Sequence, residues 1–389
     1  MKIAIISFGY SDTVIPSYMH LKNNYNNIHL YLCYAHNRKY DSILDFRGVP
    51  IYTGFVSDEK VKELIHPDII NYLGSIERIK FFIFYNLKLR SLRNLFLALR
   101  LSCELKKYDI IHINGLNGVL PILVLLLRKK KLVFTIHDIR PHSGDITRFG
   151  IAKKTIDYLC MSKYSVIALN KHDYEYCRMH YAIRKSKFVY IPFGVLDVFR
   201  YVEPFEMPTS DILFFGRIAG YKGLKYLTCA AEILRKEGKK ISVVIAGSGH
   251  IEPELMNKIY ENEILLINKH LSNEELAGLI RNTKYVVCPY TDTTQSGVVM
   301  TSFALGKQVI ASATGSFKEI IIDGYNGFLF EPKNTNDLAE KIKQALTGNT
   351  PEKMEKRVKE FSESSEEYSW ERISKKYIEF YNNYYECKR

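Results

Sequence analysis

The amino-acid sequence predicts an α/β protein made of two doubly wound parallel sheets facing each other across a cleft. Three observations point there. Short apolar, β-branched runs alternate with segments of helical spacing along the whole chain, as parallel strands covered by helices on both faces require. Thirteen such runs are too many for one compact sheet. Between residues 195 and 210 both patterns lapse, and Pro204 and Pro208 lie in an irregular stretch that precedes a fresh strand.

In order, the first half gives strands at 2–8, 28–34, 51–56, 110–114, 132–137, 165–169 and 188–192. The second half gives them at 211–216, 241–246, 264–267, 285–289, 308–311 and 327–330. The domains expected are 1–195, a linker over 196–210, and 211–350. The tail, 351–389, reads as helices packing back across the domains, with Trp370 as a core residue.

Composition bounds the function. No apolar run approaches the ~18 residues that cross a bilayer. The longest, 118–127, contains Pro121 and ends in four cations, Arg128 to Lys131. The first twelve residues read as a strand and not a signal peptide. Seven scattered cysteines, an odd number, fit thiols in a reducing cytosol, so the expected place is cytoplasmic; a peripheral position on the inner face of the plasma membrane is a separate expectation. The net charge of +13 is unevenly spread. Residues 1–190 hold 29 Lys and Arg against 15 Asp and Glu, whereas 191–389 hold 26 against 27. A basic first half faces something anionic. The cations come without an interleaved aromatic platform, which argues against nucleic acid. Their densest stretch is 78–107, with eight Lys and Arg and a single Glu104. On a helix Arg93, Arg100 and Lys107 form one stripe, with Arg90 a turn before Arg93 and apolar area from Phe81, Phe82, Phe84, Leu95, Phe96 and Leu99. Such a segment suits an anionic lipid surface; a sheet-covering helix with a solvated basic edge reads equally well.

Ligands of doubly wound sheets sit beyond the carboxyl ends of strands, so the loops there carry the candidates. The strand at 211–216 ends in Gly216-Arg217, and Lys222-Gly223 opens the next helix; a guanidinium and an ammonium five residues apart suit a diphosphate, or are solvated loop cations. After the next strand, Gly247 and Gly249 let backbone approach a ligand, or merely make a tight turn. Gln295-Ser296-Gly297 precedes an apolar helix, placing a cap where an anion is favoured. Glu319, after Thr314-Gly315-Ser316, reads more as a loop tether than a catalyst. His137-Asp138, with His142, Ser143 and Gly144 beyond, clusters polar residues at a strand end, with Asp138 placed to orient His137 or shape the loop. No Asp-x-Asp pair is present, so no metal is expected to carry a diphosphate.

From Asp211 onward, GRIAGYKGL, AGSGH, LSNEELAGLIRNTKYVVCPY, QSGVVMTSFALGKQVIASATGSFKEII, DGYNGFLFEP and YSWERISKKY resemble, in order, the motifs of retaining family-4, glycogen-synthase-like glycosyltransferases of GT-B fold. FTIHDIRPHSGD resembles the version found in bacterial surface-polysaccharide enzymes. The resemblance implies two Rossmann-like domains and a UDP- or GDP-sugar donor, with no further cofactor. Arg217 and Lys222 would neutralise the donor diphosphate, and His137 would stand near the transferred sugar. Ser296 and Gly297 would contact the same phosphates, and Gly216, Gly247, Gly249, Gln295, Thr301 and Glu319 complete the expected donor site. One departure matters: where the family often has two glutamates, this chain has Thr293 and Thr301. The implied activity is hexosyl transfer with retention to a glycan or lipid-linked acceptor. The alternatives are a non-catalytic subunit partnering another transferase, or a nucleotide-sugar epimerase or phosphorylase.

Overall fold

A computed structural model of the chain describes residues 1–36, 38, 40–41, 43–46, 52–88, 91–139, 146–181, 188–293, 296–348 and 350–386. The chain divides into two units, one holding Met1–Arg140, Thr147–Gly194 and Trp370–Arg389, the other Val195–Ser369.

The first unit is built on eight strands: β1 (Ile3–Ser7), β2 (Ile28–Ala35), β3 (Gly54–Phe55), β4 (Ile79–Phe84), β5 (Ile110–Asn114), β6 (Lys131–Ile136), β7 (Ser165–Ala168) and β8 (Phe188–Tyr190). Their spatial order is 8-7-6-5-1-2-4-3, parallel except for the edge strand β3. Every residue of β1, β5 and β7 is buried, which explains why these segments read as unbroken apolar runs. Helices Leu92–Leu105, Leu120–Leu126, Ile146–Met161 and Lys171–His180 cover one face through Leu97, Leu101, Leu123, Leu159 and Cys177. Helices Ser11–Asn24 and Trp370–Glu386 pack together over the other.

The second unit carries β9 (Ser210–Phe215), β10 (Val243–Ala246), β11 (Leu265–Ile267), β12 (Thr283–Cys288), β13 (Val309–Ser312) and β14 (Gly327–Phe330), all parallel, in the order 11-10-9-12-13-14. In each sheet the chain order reverses beside one central strand: between β1 and β5 in the first, and between β9 and β12 in the second. Loops leaving those strand pairs diverge and open a crevice at their carboxyl ends.

Two α/β units with parallel sheets were expected, and the structure has them. Three details differ. The segment 79–84 is a central-sheet strand paired with β2, and Phe81, Phe82 and Phe84 are buried core rather than surface area. Only 92–105 is helical in that basic stretch, and Arg90 lies outside the described residues. Lys107 and Lys80 both pair with Glu104, so the basic stripe on that helix is shorter than its spacing suggests. The segment 196–210 belongs to the second unit: Leu196 N–H donates to Met300 O at 3.2 Å and Arg200 Nε to Ala304 O at 2.8 Å. The tail is also divided, since Pro351–Ser364 belongs to the second unit and Trp370–Glu386 to the first.

His112, buried on β5, ties strands to the last helix. Its Nδ1 lies 2.6 Å from Tyr381 Oη and its Nε2 2.7 Å from Thr135 Oγ1. Burial lowers its pKa to about 3. The unfolded chain takes up this proton near pH 6.5 while the folded chain refuses it, so folding stability falls as pH drops from about 6.5 toward 3, by about 1.4 kcal/mol per pH unit. Urea unfolding at pH 7, 5.5 and 4 should show stability falling with pH, and His112→Gln should make that fall shallower by about 1.4 kcal/mol per pH unit.

Candidate functional site

In the second unit the crevice beside β9 gathers most of the candidates. Gly216, at φ 106°, turns the chain out of β9, and its N–H donates to Ala246 O at 3.0 Å. Gly247 lies so close beneath it that a Cβ there would come within 1.9 Å of Gly216 O. The two loops continue side by side: Ile218 N–H donates to Ser248 O at 2.9 Å, and Asn268 bonds both backbone groups of Gly249 at 3.2 Å. Backbone fit is what these glycines supply.

Lys222 sits in the 3₁₀ turn Gly220–Lys222 and is only 8% exposed. Its Nζ lies 2.6 Å from Tyr290 Oη and 4.3 Å from the centroid of that ring. Burial lowers its pKa to about 8, and the charge of Arg217 adds to the shift. A phenol and a ring face compensate an ammonium only partly, so a nearby anion would stabilise this charge. Beside it begins helix Gly297–Ala304, capped by Ser296 Oγ, which accepts from Val299 N–H at 3.4 Å. The position of a Cβ on Gly216 would be 3.6 Å from Val298 Cγ2 and 3.7 Å from Lys222 Nζ, so strand end, ammonium and helix start adjoin. Tyr290 also hydrogen-bonds Ser296, linking the buried cation to the cap. The helix start adds partial positive charge. Arg217 is different in kind: it is exposed, with Nη2 3.5 Å from Tyr221 Oη.

Thr293, Ser296 and Thr301 are all buried in the same region of chain, before and within that helix. Glu319 lies partly exposed in the short helix Phe317–Ile320, after β13. Gln295 lies outside the described residues.

In the first unit the crevice between β1 and β5 holds His137, just past β6. A chain of hydrogen bonds fixes its tautomer. Ser7 Oγ donates its one proton to Gly9 O, so it must accept from Asn114 Nδ2 at 3.2 Å. That turns Asn114 Oδ1 toward His137 Nε2 at 2.8 Å, and Nε2 therefore carries the proton, leaving Nδ1 the acceptor. Burial lowers the pKa of His137 to about 4, with Asp138 opposing, so the ring is neutral at pH 7. Tyr10 stacks on it, centroids 3.7 Å apart and planes within 4°. Tyr10 holds a left-handed backbone at φ 59°, costly for a bulky residue and typical of functional loops. A Cβ at Gly115 would come within 3.1 Å of the Tyr10 ring. His142, Ser143 and Gly144 lie outside the described residues.

The structure thus brings Gly216, Lys222, Gly247, Gly249, Ser296 and Gly297 around one crevice of the second unit, and places His137 in the first. Sequence reasoning missed Tyr10, Asn114 and Tyr290. All three stand at or just past the carboxyl end of a strand beside a reversal of strand order, which is the signal that finds them.

Residues 199–364 match the sequence model of the family described as glycosyl transferases group 1. An uncharacterized glycosyltransferase of Methanocaldococcus jannaschii is 32% identical over 163 residues, 41% of this chain and 44% of that protein. The lipopolysaccharide 1,2-N-acetylglucosaminetransferase of Salmonella typhimurium is 24% identical over 187 residues, 45% of this chain and 49% of that one. The matches thus span under half the length of these relatives. Among solved structures, Anabaena HepE in complex with UDP-glucose is similar over 98% of this chain and 100% of its own, at a TM-score of 0.67 and 15% identity. Residues 199–364 are accordingly similar to the group 1 glycosyl transferases, and the two-unit α/β fold is the one seen in these solved GT-B structures.

Proposed function

We propose that this chain transfers a hexose from a UDP- or GDP-sugar to a glycan or lipid-linked acceptor with retention of configuration, in bacterial surface-polysaccharide synthesis. The observation that carries the reading is the buried Lys222 ammonium, set between the glycine turn after β9 and the start of helix Gly297–Ala304. The names of HepE bound to UDP-glucose and of the Salmonella lipopolysaccharide enzyme agree with a nucleotide-sugar donor and a surface glycan.

In the proposed step the bond between the sugar's anomeric carbon and the diphosphate oxygen breaks. Negative charge then builds on the leaving phosphate. Lys222, Arg217 and the helix start meet it without reorganising, which is electrostatic catalysis of the leaving group. With the chain lacking an Asp-x-Asp pair, these groups take the place of a divalent ion. The acceptor hydroxyl attacks on the same face, and its proton passes to the departing phosphate oxygen. No carboxylate nucleophile is needed, which accommodates Thr293 and Thr301. In this reading neutral His137 stands near the transferred sugar, and Tyr10 stacks on its ring.

A membrane-borne acceptor suits the basic first half. Helix Leu92–Leu105 leaves Leu92, Leu95, Phe96 and Leu99 exposed beside Arg93 and Arg100, a composition that rests on anionic lipid. No helix among the described residues is long and apolar enough to cross a bilayer. Peripheral contact from the cytoplasmic side is therefore the membrane role proposed.

Thermal-shift titration with UDP, GDP and their sugars, followed by transfer assays, tests the reading as a whole. Lys222→Ala should lower transfer by about 100-fold or more, and Arg217→Ala by a similar order while leaving the melting temperature unchanged because that side chain is exposed. Near-wild-type turnover in both would remove the diphosphate clamp. Nucleotide affinity should hold up to about pH 8 and then weaken by up to about tenfold per pH unit, because the free ammonium deprotonates there while the bound one is held charged. Lys222→Arg should remove that dependence, since a guanidinium stays charged. His137→Ala should depress kcat with little change in nucleotide Kd; a lost Kd with preserved kcat would put His137 on the donor side.

A further inference from the structure

The cations Arg128 and Lys129 that end the longest apolar run of the sequence are not used by the site described above. They border a groove of about 910 Å³ in the first unit, between helices Leu120–Leu126 and Ile146–Met161. Its floor is apolar: Val124 and Leu159 are 5% and 1% exposed, and Leu125 and Tyr158 remain 61% and 57% exposed. Lys154 and Lys163 complete the rim with Arg128 and Lys129, and no carboxylate lines the groove among the described residues.

We propose that this groove holds one molecule of an anionic lipid, its hydrocarbon chain on the floor and its phosphate head among the four rim cations. The reasoning is one of matching. A bare phosphate would leave the exposed faces of Leu125 and Tyr158 in water. An extended peptide would lay polar backbone groups about every 3.3 Å over a floor with few partners for them. A hydrocarbon chain brings no such groups, and a phosphate head brings the charge the rim lacks. The volume lies in the range of about 300–1,000 Å³ typical of sites that enclose a single small molecule. Helix Leu92–Leu105, with its exposed leucines, packs directly against helix Leu120–Leu126, so the groove lies one helix away from the surface proposed to rest on lipid. The site is separate from sugar transfer: a chain that transferred nothing would still bind the lipid.

The experiment uses the full chain and dodecyl phosphate below its micelle concentration, titrated calorimetrically at low salt. Inorganic phosphate and dodecyl maltoside serve as the separate headgroup and neutral-chain arms. One dodecyl phosphate per chain is expected, with at least about tenfold weaker binding in Leu125→Glu and in the double variant Lys154→Glu/Lys163→Glu. Each variant is first checked for unchanged UDP binding and circular dichroism. Equal affinity for inorganic phosphate would mean a simple anion site and overturn the proposal. So would wild-type affinity in both variants, or adsorption to phosphatidylglycerol vesicles without any binding of the monomeric lipid.

Discussion

A parallel sheet buried on both faces must send its crossover helices to both sides, and that single constraint organises each unit of this chain. Helices can change sides only where strand order reverses. At that point the loops from two neighbouring strands leave in opposite directions, and space opens between them. β1 and β5 bracket such a place in the first unit, β9 and β12 in the second. Nearly every residue with chemical interest lies at one of these two places. The sites are consequences of how the sheets are wound.

Within the second unit the cost of burying Lys222 explains much of what surrounds it. An ammonium removed from water needs compensation. Tyr290 supplies a hydroxyl and a ring face, and stops short of a counter-charge. The result is an amine whose pKa has dropped to about 8, still mostly charged at neutral pH. Such a group is held ready for an anion at the expense of local stability. Arg217 differs from it in being exposed, so of the two cations only Lys222 carries the cost of burial.

The fold was largely legible because two-sided burial writes itself into sequence as uninterrupted apolar runs. β4 escaped notice for a physical reason. Arg78 and Lys80 flank and interrupt its run, and only the ladder with β2, some fifty residues earlier, makes it a strand. Lys80 carries its charge outward to Glu104 while Phe81, Phe82 and Phe84 after it are buried. Gly216, Arg217, Lys222, Gly247 and Gly249 were legible since each belongs to a short local turn. What supports them was not. Tyr290 meets Lys222 across a separation of 68 residues, and Asn114 meets His137 across 23, both through neighbouring loops brought together by strand order. Local pattern carries no trace of such pairings.

Helix Trp370–Glu386 belongs to the first unit although the whole second unit precedes it in the chain. Trp370 fits against Gly194, where a Cβ would meet the indole at 2.7 Å, and stacks on His20 with planes 7° apart. Tyr381, eleven positions further on, holds His112 at the middle of the sheet. During synthesis, then, the second unit is complete while the first still lacks part of the cover for one face of its sheet. A ribosome working at about 5–20 residues per second would expose that half-covered sheet for many seconds before the last helix emerges. Order of completion here runs against order of translation: residues made before the second unit are finished after it.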